Sequence, residues 1–284
     1  EEAVECLDAG ALKMYWQLWL LATAYRTTQR ITGVAKPMDR DPAPDVAEQC
    51  EALLRNFGAS IQPVPFPAVT DGRIAGSGLY LRTDYWNRLT SGGSYGHTCY
   101  VARELAAASD GMVCLMASHY PMLDEFGLTQ VVMPKASPSA AEIPLLAATA
   151  HYLPLLKFAC ELLRPAYIYE RLCLGNFAGA IVSREFGIPY IVEYNGSEIS
   201  MSKTFNGTSL RYEDLFLRAE YAAFRQASMI SVVSTVIKEQ LVDRGIDAGK
   251  ILVNPNGADP TAYSPAAAAE KNDIRAELGF DAAT

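Results

Sequence analysis

The sequence predicts an α/β fold, a doubly wound parallel sheet preceded by a helical extension. From residue 78 onward, short apolar runs alternate with longer helical stretches, the order that buries a parallel sheet between two helical layers. Before that point the chain differs in kind. Prolines at 37, 42 and 44, and again at 63, 65 and 67, cannot donate to helix or sheet ladders. A length of 284 residues suits one large α/β domain with an appendage. The expected division is 1–76 as helical extension and Pro-rich linker, 77–262 as the sheet domain, and 263–284 as a segment leading out of it.

Each element has its own signal. Residues 11–25 form an apolar, aromatic-rich helical run with Tyr15, Trp16, Leu18, Trp19, Leu20 and Leu21. Lys13 and Gln17 break it and it is too short to span a bilayer. It reads as an amphipathic helix docked on the domain, with peripheral membrane contact as the alternative. Residues 45–57 read as a second helix, with Val46, Cys50, Leu53, Leu54 and Phe57 near a 3–4 spacing and Gly58 as its C-cap. Strands are expected at 79–83, 112–117, 129–133, 166–169, 190–193, 229–233 and 250–253. Helices are expected at 98–109, 145–163, 175–186, 211–227 and 235–244. The 145–163 helix is apolar, but His151, Pro154, Lys157 and Glu161 interrupt it, so it reads as a core helix and not a membrane span.

Composition narrows the partners. Half the residues are hydrophobic and 20% are charged, as in a soluble globular protein. The formal charge of −8, with no dense Lys/Arg run, argues against nucleic acid and weakens a polybasic membrane patch. Six cysteines, at 6, 50, 99, 114, 160 and 173, include no Cys-x-x-Cys pair, and His97, His119 and His151 are scattered. No metal site is expected from such spacing. Reduced packing thiols, and hence a cytoplasmic compartment, are the expectation. Asn195-Gly-Ser and Asn206-Gly-Thr are formal glycosylation sequons that turn chemistry also explains.

The residues able to carry chemistry follow strands. Ser91-Gly-Gly-Ser-Tyr-Gly-His97 sits between the first strand and a helix. Its glycines, Gly92 and Gly93 among them, let backbone approach a ligand, and the next helix offers N–H groups suited to phosphate. The spacing is not the dinucleotide G-x-G-x-x-G fingerprint, so a tight connection is the competing reading, as is a backbone-bonded helix start for His97. Tyr169-Glu-Arg171 ends another strand. Glu170 and Arg171 either bind sugar hydroxyls or phosphate or form a structural salt bridge. Glu193, Asn195 and Glu198 end the next strand, and residues 199–210 read as a mobile acceptor loop or a plain connector. Ser234 is explained by N-capping and is a weaker rim candidate. Asn256, Gly257 and Asp259 read as a turn and hinge. No Ser-His-Asp triad or metal-ligand cluster is apparent.

Two stretches carry a family resemblance. The run from Ile230 through Lys250-Ile-Leu-Val-Asn-Pro-Asn-Gly-Ala-Asp259 to Tyr263-Ser-Pro265 closely resembles the end of the first domain in retaining, nucleotide-sugar-dependent glycosyltransferases of GT-B type, group 1 or family 4-like. Residues 166–198 resemble the same family, and Gly92, Gly93 and His97 match its Gly-Gly-x-x-x-His loop facing the interdomain cleft. The resemblance implies a Rossmann-like, acceptor-side N-terminal domain, with a nucleotide-diphosphate sugar as donor substrate and no bound cofactor or metal. It implies an acceptor hydroxyl on a glycan or lipid-linked saccharide, in polysaccharide biosynthesis. The enzyme would be cytoplasmic, at most peripheral at the inner face of the membrane. It makes Glu170 and Arg171 the catalytic candidates, Arg171 or Tyr169 falling where relatives carry a donor-positioning His. The second domain is expected beyond residue 284, so this chain alone is expected to be inactive. A nucleotide-sugar epimerase on the same scaffold and a non-catalytic sugar- or nucleotide-binding module are the alternatives.

Overall fold

A computed structural model describes residues 43–58, 61–66, 69–84, 91–133, 142–207, 209–258 and 268–280. The 11–25 segment and Asp259 lie outside them. The chain divides after Asn254 into two units. The first opens with helix α1 (Ala43–Gly58) and a two-stranded antiparallel ribbon, β1 (Val69–Thr70) and β2 (Arg73–Ile74). The alternation then runs β3 (Gly78–Arg82), α2 (Gly93–Ala107), β4 (Met112–Met116), α3 (Pro121–Glu125), β5 (Thr129–Val132), α4 (Glu142–Leu163) and β6 (Tyr167–Arg171). It continues through α5 (Ala178–Phe186), β7 (Tyr190–Tyr194), α6 (Glu198–Asn206), α7 (Glu213–Gln226), β8 (Met229–Val232), α8 (Thr235–Asp243) and β9 (Ile251–Val253). In the second unit, α9 spans Ala268–Glu277.

Strands β3 to β9 form one seven-stranded sheet in the order β5-β4-β3-β6-β7-β8-β9, every pair parallel. This is the Rossmann-like, doubly wound α/β fold that the alternation predicted. Winding starts at β3, proceeds outward to β5, then returns through α4 to β6 on the other side of β3. The strand order therefore reverses between β3 and β6.

Side chains alternate across each strand, and two cores result. Leu79, Leu81, Ile168, Tyr190 and Val192 face a large core completed by Cys50, Leu54 and Phe57 of α1, Leu156 of α4, Ile181 of α5 and Phe216 of α7. Tyr80, Cys114, Tyr167, Tyr169 and Ile191 face a smaller core with Tyr95 and Cys99 of α2 and Leu123 of α3. Helix α1, which the sequence assigned to the extension, is thus a layer of the large core. Arg218 locks it by donating two hydrogen bonds of 2.7 Å to Glu51. Arg184 donates to the Phe57 carbonyl at 2.8 Å, satisfying one of the carbonyls left over at the α1 C-terminus. Among the described residues, α4 is the helix long and apolar enough to cross a membrane. It instead buries Leu146, Tyr152, Leu155, Leu156 and Cys160 in the large core.

Three local readings are corrected. The Gly-rich stretch is not a loop ahead of a helix at residue 98: α2 already begins at Gly93. Residues 199–210 are not simply a loop, because α6 occupies Glu198–Asn206. Ser197 starts that helix by accepting from Ser200 N at 3.1 Å, and Gly207 ends it in the left-handed region. Gly58 is the last residue of α1 and not a cap beyond it.

Packing depth sets a test. Phe216→Ala, in the large core with no exposed surface, should cost about 3–5 kcal/mol, whereas an exposed apolar site should change stability by less than about 0.5 kcal/mol. Leu252, 51% exposed on β9, supplies the control. Urea melts of Phe216→Ala and Leu252→Ala check this; equal costs would mean the core is misplaced.

Candidate functional site

In an open α/β sheet, the crevice beyond the carboxyl ends of the strands opens where the strand order reverses. Here that point lies between β3 and β6, whose last residues, Arg82 and Arg171, are register partners. The next strand pairs Arg171 with Glu193. All three side chains lie on the face of the smaller core, because alternation sends even-numbered β3 residues and odd-numbered β6 and β7 residues to that side.

Glu193 is the hub. Its side chain is 2% exposed. Arg171 Nη1 and Asn195 Nδ2 both donate to its Oε1, and His97 Nε2 lies 3.1 Å from the same oxygen. Tyr169 donates its hydroxyl to Oε2 at 3.0 Å. Burial opposes the carboxylate's charge, but His97, Arg171 and Asn195 outweigh it and hold the pKa at about 2. An anion so surrounded has little capacity left for a ligand. Glu193 thus ties Arg171, His97 and Asn195 together at the rim.

Four expected rim residues thus converge: His97 from α2, Arg171 from β6, and Glu193 and Asn195 from β7. Gly92 caps α2 with a φ of 90°, a backbone state that suits glycine, and Gly93 opens the helix beside it. Glu198 stands in the first turn of α6. Burial first, then the Asp84 and Glu198 carboxylates, push the Cys173 thiol's pKa up. Ser234 sits at the end of β8, where its hydroxyl accepts from Ile237 N at 3.3 Å as the cap of α8. Asn256 and Gly257 are exposed residues of the second unit.

Glu170 does not belong with them. It points to the opposite face, is completely buried in the large core and is not paired with Arg171. Tyr190 donates its hydroxyl to Glu170, and Asn176 Nδ2 donates weakly at 3.5 Å and to Thr83 Oγ1 at 2.6 Å. Burial pushes the Glu170 pKa up to about 8 against the Tyr190 bond, which favours the charged form. The expectation that Glu170 and Arg171 share the rim is thereby corrected. Neighbouring residues on a strand face opposite ways.

Sequence reasoning missed Arg82 and Asp84. Arg82 ends β3 at 1% exposure, with Asp84 Oδ2 at 2.9 Å from Nε and 2.6 Å from Nη2. Burial works against its charge, but Asp84 holds its pKa above the ordinary value. Charged residues directly after an apolar run were the available signal. Among the described residues, no group of three His, Cys, Asp or Glu side chains is placed to hold a metal. A cavity of about 390 Å³ lies on the other side of β7, between α6, α7 and α8, lined by Tyr194, Ile199, Leu217 and Leu241. Its two cations are matched, Lys203 with Glu213 at 2.6 Å and Arg244 with Glu220 at 3.5 Å, and it lies off the switch point between β3 and β6 where an open sheet binds ligands.

A doubly wound parallel sheet with charged side chains gathered at its switch point defines the Rossmann-like α/β class. Its family is also defined. The chain belongs to the Glycosyl transferase 4-like domain family, which matches residues 92–257, more than half its length. Among solved structures it is similar to HepE of Anabaena in complex with UDP-glucose, with 16% identity over 72% of this chain and 50% of that one and a TM-score of 0.52. It is also similar to sucrose-phosphate synthase of Thermosynechococcus elongatus, at 14% identity, 72% and 53% coverage and a TM-score of 0.50. These likenesses are of fold, that of GT-B glycosyltransferases, and the chain spans about half the length of each. No curated protein matches the sequence.

Two of the buried glutamates set opposite pH limbs. Glu193 is depressed from 4.5 to about 2, so its stabilisation is present above pH 4.5 and is lost as pH falls through about 2. Glu170 is raised from 4.5 to about 8, so its favourable state is fully present below pH 4.5 and is lost as pH rises through about 8. Urea melts across this range should show Glu193→Gln flattening the acid limb and Glu170→Gln the alkaline one. Variant profiles that run parallel to wild type on both limbs would refute the two charge states.

Proposed function

We propose that this domain forms the acceptor-side wall of a retaining GT-B glycosyltransferase, which moves a sugar from a nucleotide-diphosphate donor to an acceptor hydroxyl. The observation that carries this reading is the convergence of His97, Arg171 and Asn195 on Glu193 at the switch point, beside the Gly92–Gly93 start of α2. Family membership and the likeness to a structure with bound UDP-glucose support it. Transfer of a glycosyl group builds negative charge on the departing diphosphate, which preorganised cations and helix N-termini stabilise. Gly92 and Gly93 let backbone N–H groups approach that diphosphate. Arg171 and His97 contact the donor's phosphate or sugar hydroxyls. Asn195, Glu198 and the polar face of α6 meet the acceptor, with Ser234 further along the rim.

The acceptor in this reading is a glycan or lipid-linked saccharide, as in polysaccharide assembly. Asn256, Gly257 and Asp259 form the hinge to the partner domain, and the donor is substrate, with no resident cofactor. Cytoplasmic placement accords with five buried cysteines that carry no disulfide. Peripheral membrane contact through residues 11–25 completes the proposal.

The test uses this chain and a panel of nucleotide sugars. Ligand-detected NMR should show binding no tighter than ~1 mM, or about −4 kcal/mol, because one wall supplies part of the contacts. Mass spectrometry should show no transfer product from this chain alone. Absence of any nucleotide-sugar binding would remove the assignment, and robust turnover would remove the two-wall division. Gly93→Val adds bulk where a Cβ meets nothing within 4 Å. It should leave melting unchanged and weaken nucleotide-sugar binding by about tenfold, or roughly 1.4 kcal/mol. Unchanged binding would take this turn out of the site.

A further inference from the structure

The first turn of α2 is a poor helix start by its own chemistry. Gly92 provides no side-chain cap, and the turn contains no acidic residue to match the helix dipole. Gly93 and Gly96 each cost about 1 kcal/mol against alanine in a helix. Nevertheless α2 begins at Gly93, and the tether from the sheet is Arg82. Its Nη2 donates to Ser94 Oγ at 2.9 Å and its Nη1 to the Ser94 carbonyl at 3.0 Å and to Thr98 Oγ1. Asp84 and the Tyr120 ring, whose centroid is 5.2 Å from the guanidinium carbon, hold the other sides of the group.

This placement runs against two local preferences. A cation at a helix N-terminus opposes the dipole. Arg82 is also the register partner of Arg171, and like charges opposite each other on paired strands destabilise a sheet. The Asp84 ion pair and the Tyr120 ring offset these costs, and the donors they leave over are aimed at α2, which is a positional arrangement. The forked donors of arginine suit that role, because they fix two atoms of Ser94 and one of Thr98 at once.

We infer that Arg82 is the positioning residue of the candidate site: its buried guanidinium sets the first turn of α2, and thereby holds His97 over Glu193. Arg82 acts through Ser94 and Thr98, being too buried to meet substrate. The inference rests on the proposed function only where ligand binding is concerned; the placement of His97 stands apart from it.

The test compares the full chain with Arg82→Lys, which keeps charge but loses the fork, and with Thr98→Val, which removes one partner at nearly constant shape. Amide hydrogen exchange should speed by about tenfold over residues 93–98 in Arg82→Lys while β7 and β8 stay protected. The His97 imidazole resonances should move, a signature that a purely stabilising arginine would not produce. UDP-glucose binding should weaken in the same variant. Thr98→Val should shift all readouts in the same direction by less, and it decides the matter if Arg82→Lys does not fold. Wild-type exchange and wild-type His97 resonances in a folded Arg82→Lys, or in Thr98→Val should the lysine variant not fold, would overturn the inference. If UDP-glucose binds neither wild type nor variant, the proposed function loses its support while the exchange and His97 readouts still decide the role of Arg82.

Discussion

A parallel strand must return through a crossover, and crossovers keep one hand. That constraint organises this domain. Strands added from β3 toward β5 bring α2 and α3 to one face, and strands added from β6 toward β9 bring α5 and α7 to the other. At the junction the chain departs from β3 and β6 in opposite directions, which leaves their carboxyl ends uncovered between diverging loops. Polar groups can then gather without crossing either core. Arg82, Arg171 and Glu193 occupy that place, and residues almost a hundred positions apart meet there.

The same strands carry two buried carboxylates in contrasting states. Glu193 has an arginine, an imidazole, an amide and a phenol around it, and the sum outweighs desolvation. Glu170 has a phenol and one weak amide contact, and desolvation wins. Burial alone thus predicts neither state; the number and charge of the donors do. The ionised group serves the crevice by anchoring cations. The group whose pKa is raised serves the fold, linking β6 to Tyr190 of β7 and, through Asn176, to Thr83 beyond β3.

Much of this architecture was legible because central parallel strands are apolar on both faces. The expected strands at 112–117 and 190–193 fall within one residue of β4 and β7. Helix starts were harder. Glycines at 92, 93 and 96 read as loop because their intrinsic preference is against helix, and only a tether from a distant strand reverses it. The two-residue ribbon strands and the five-residue α3 are too short for any periodicity to show. For the site, strand ends located Arg171, Glu193 and Asn195. Period-two alternation separates Glu170 from Arg171 and places only the second on the rim face. Arg82 stayed hidden because its importance comes from partners at 84, 94 and 98, which sequence proximity to a strand does not rank.

Glu170 fits beneath α5 because Gly179 has no side chain: a Cβ at Gly179 would stand 2.1 Å from Glu170 Oε2. Position 179 cannot gain a side chain while the Glu170 carboxyl keeps its place. A larger residue at 179 displaces the carboxyl, and Tyr190 then loses its acceptor while Asn176 keeps Thr83. Divergence at this spot must therefore proceed through paired replacements, with a shortened residue at 170 appearing first as a permissive step.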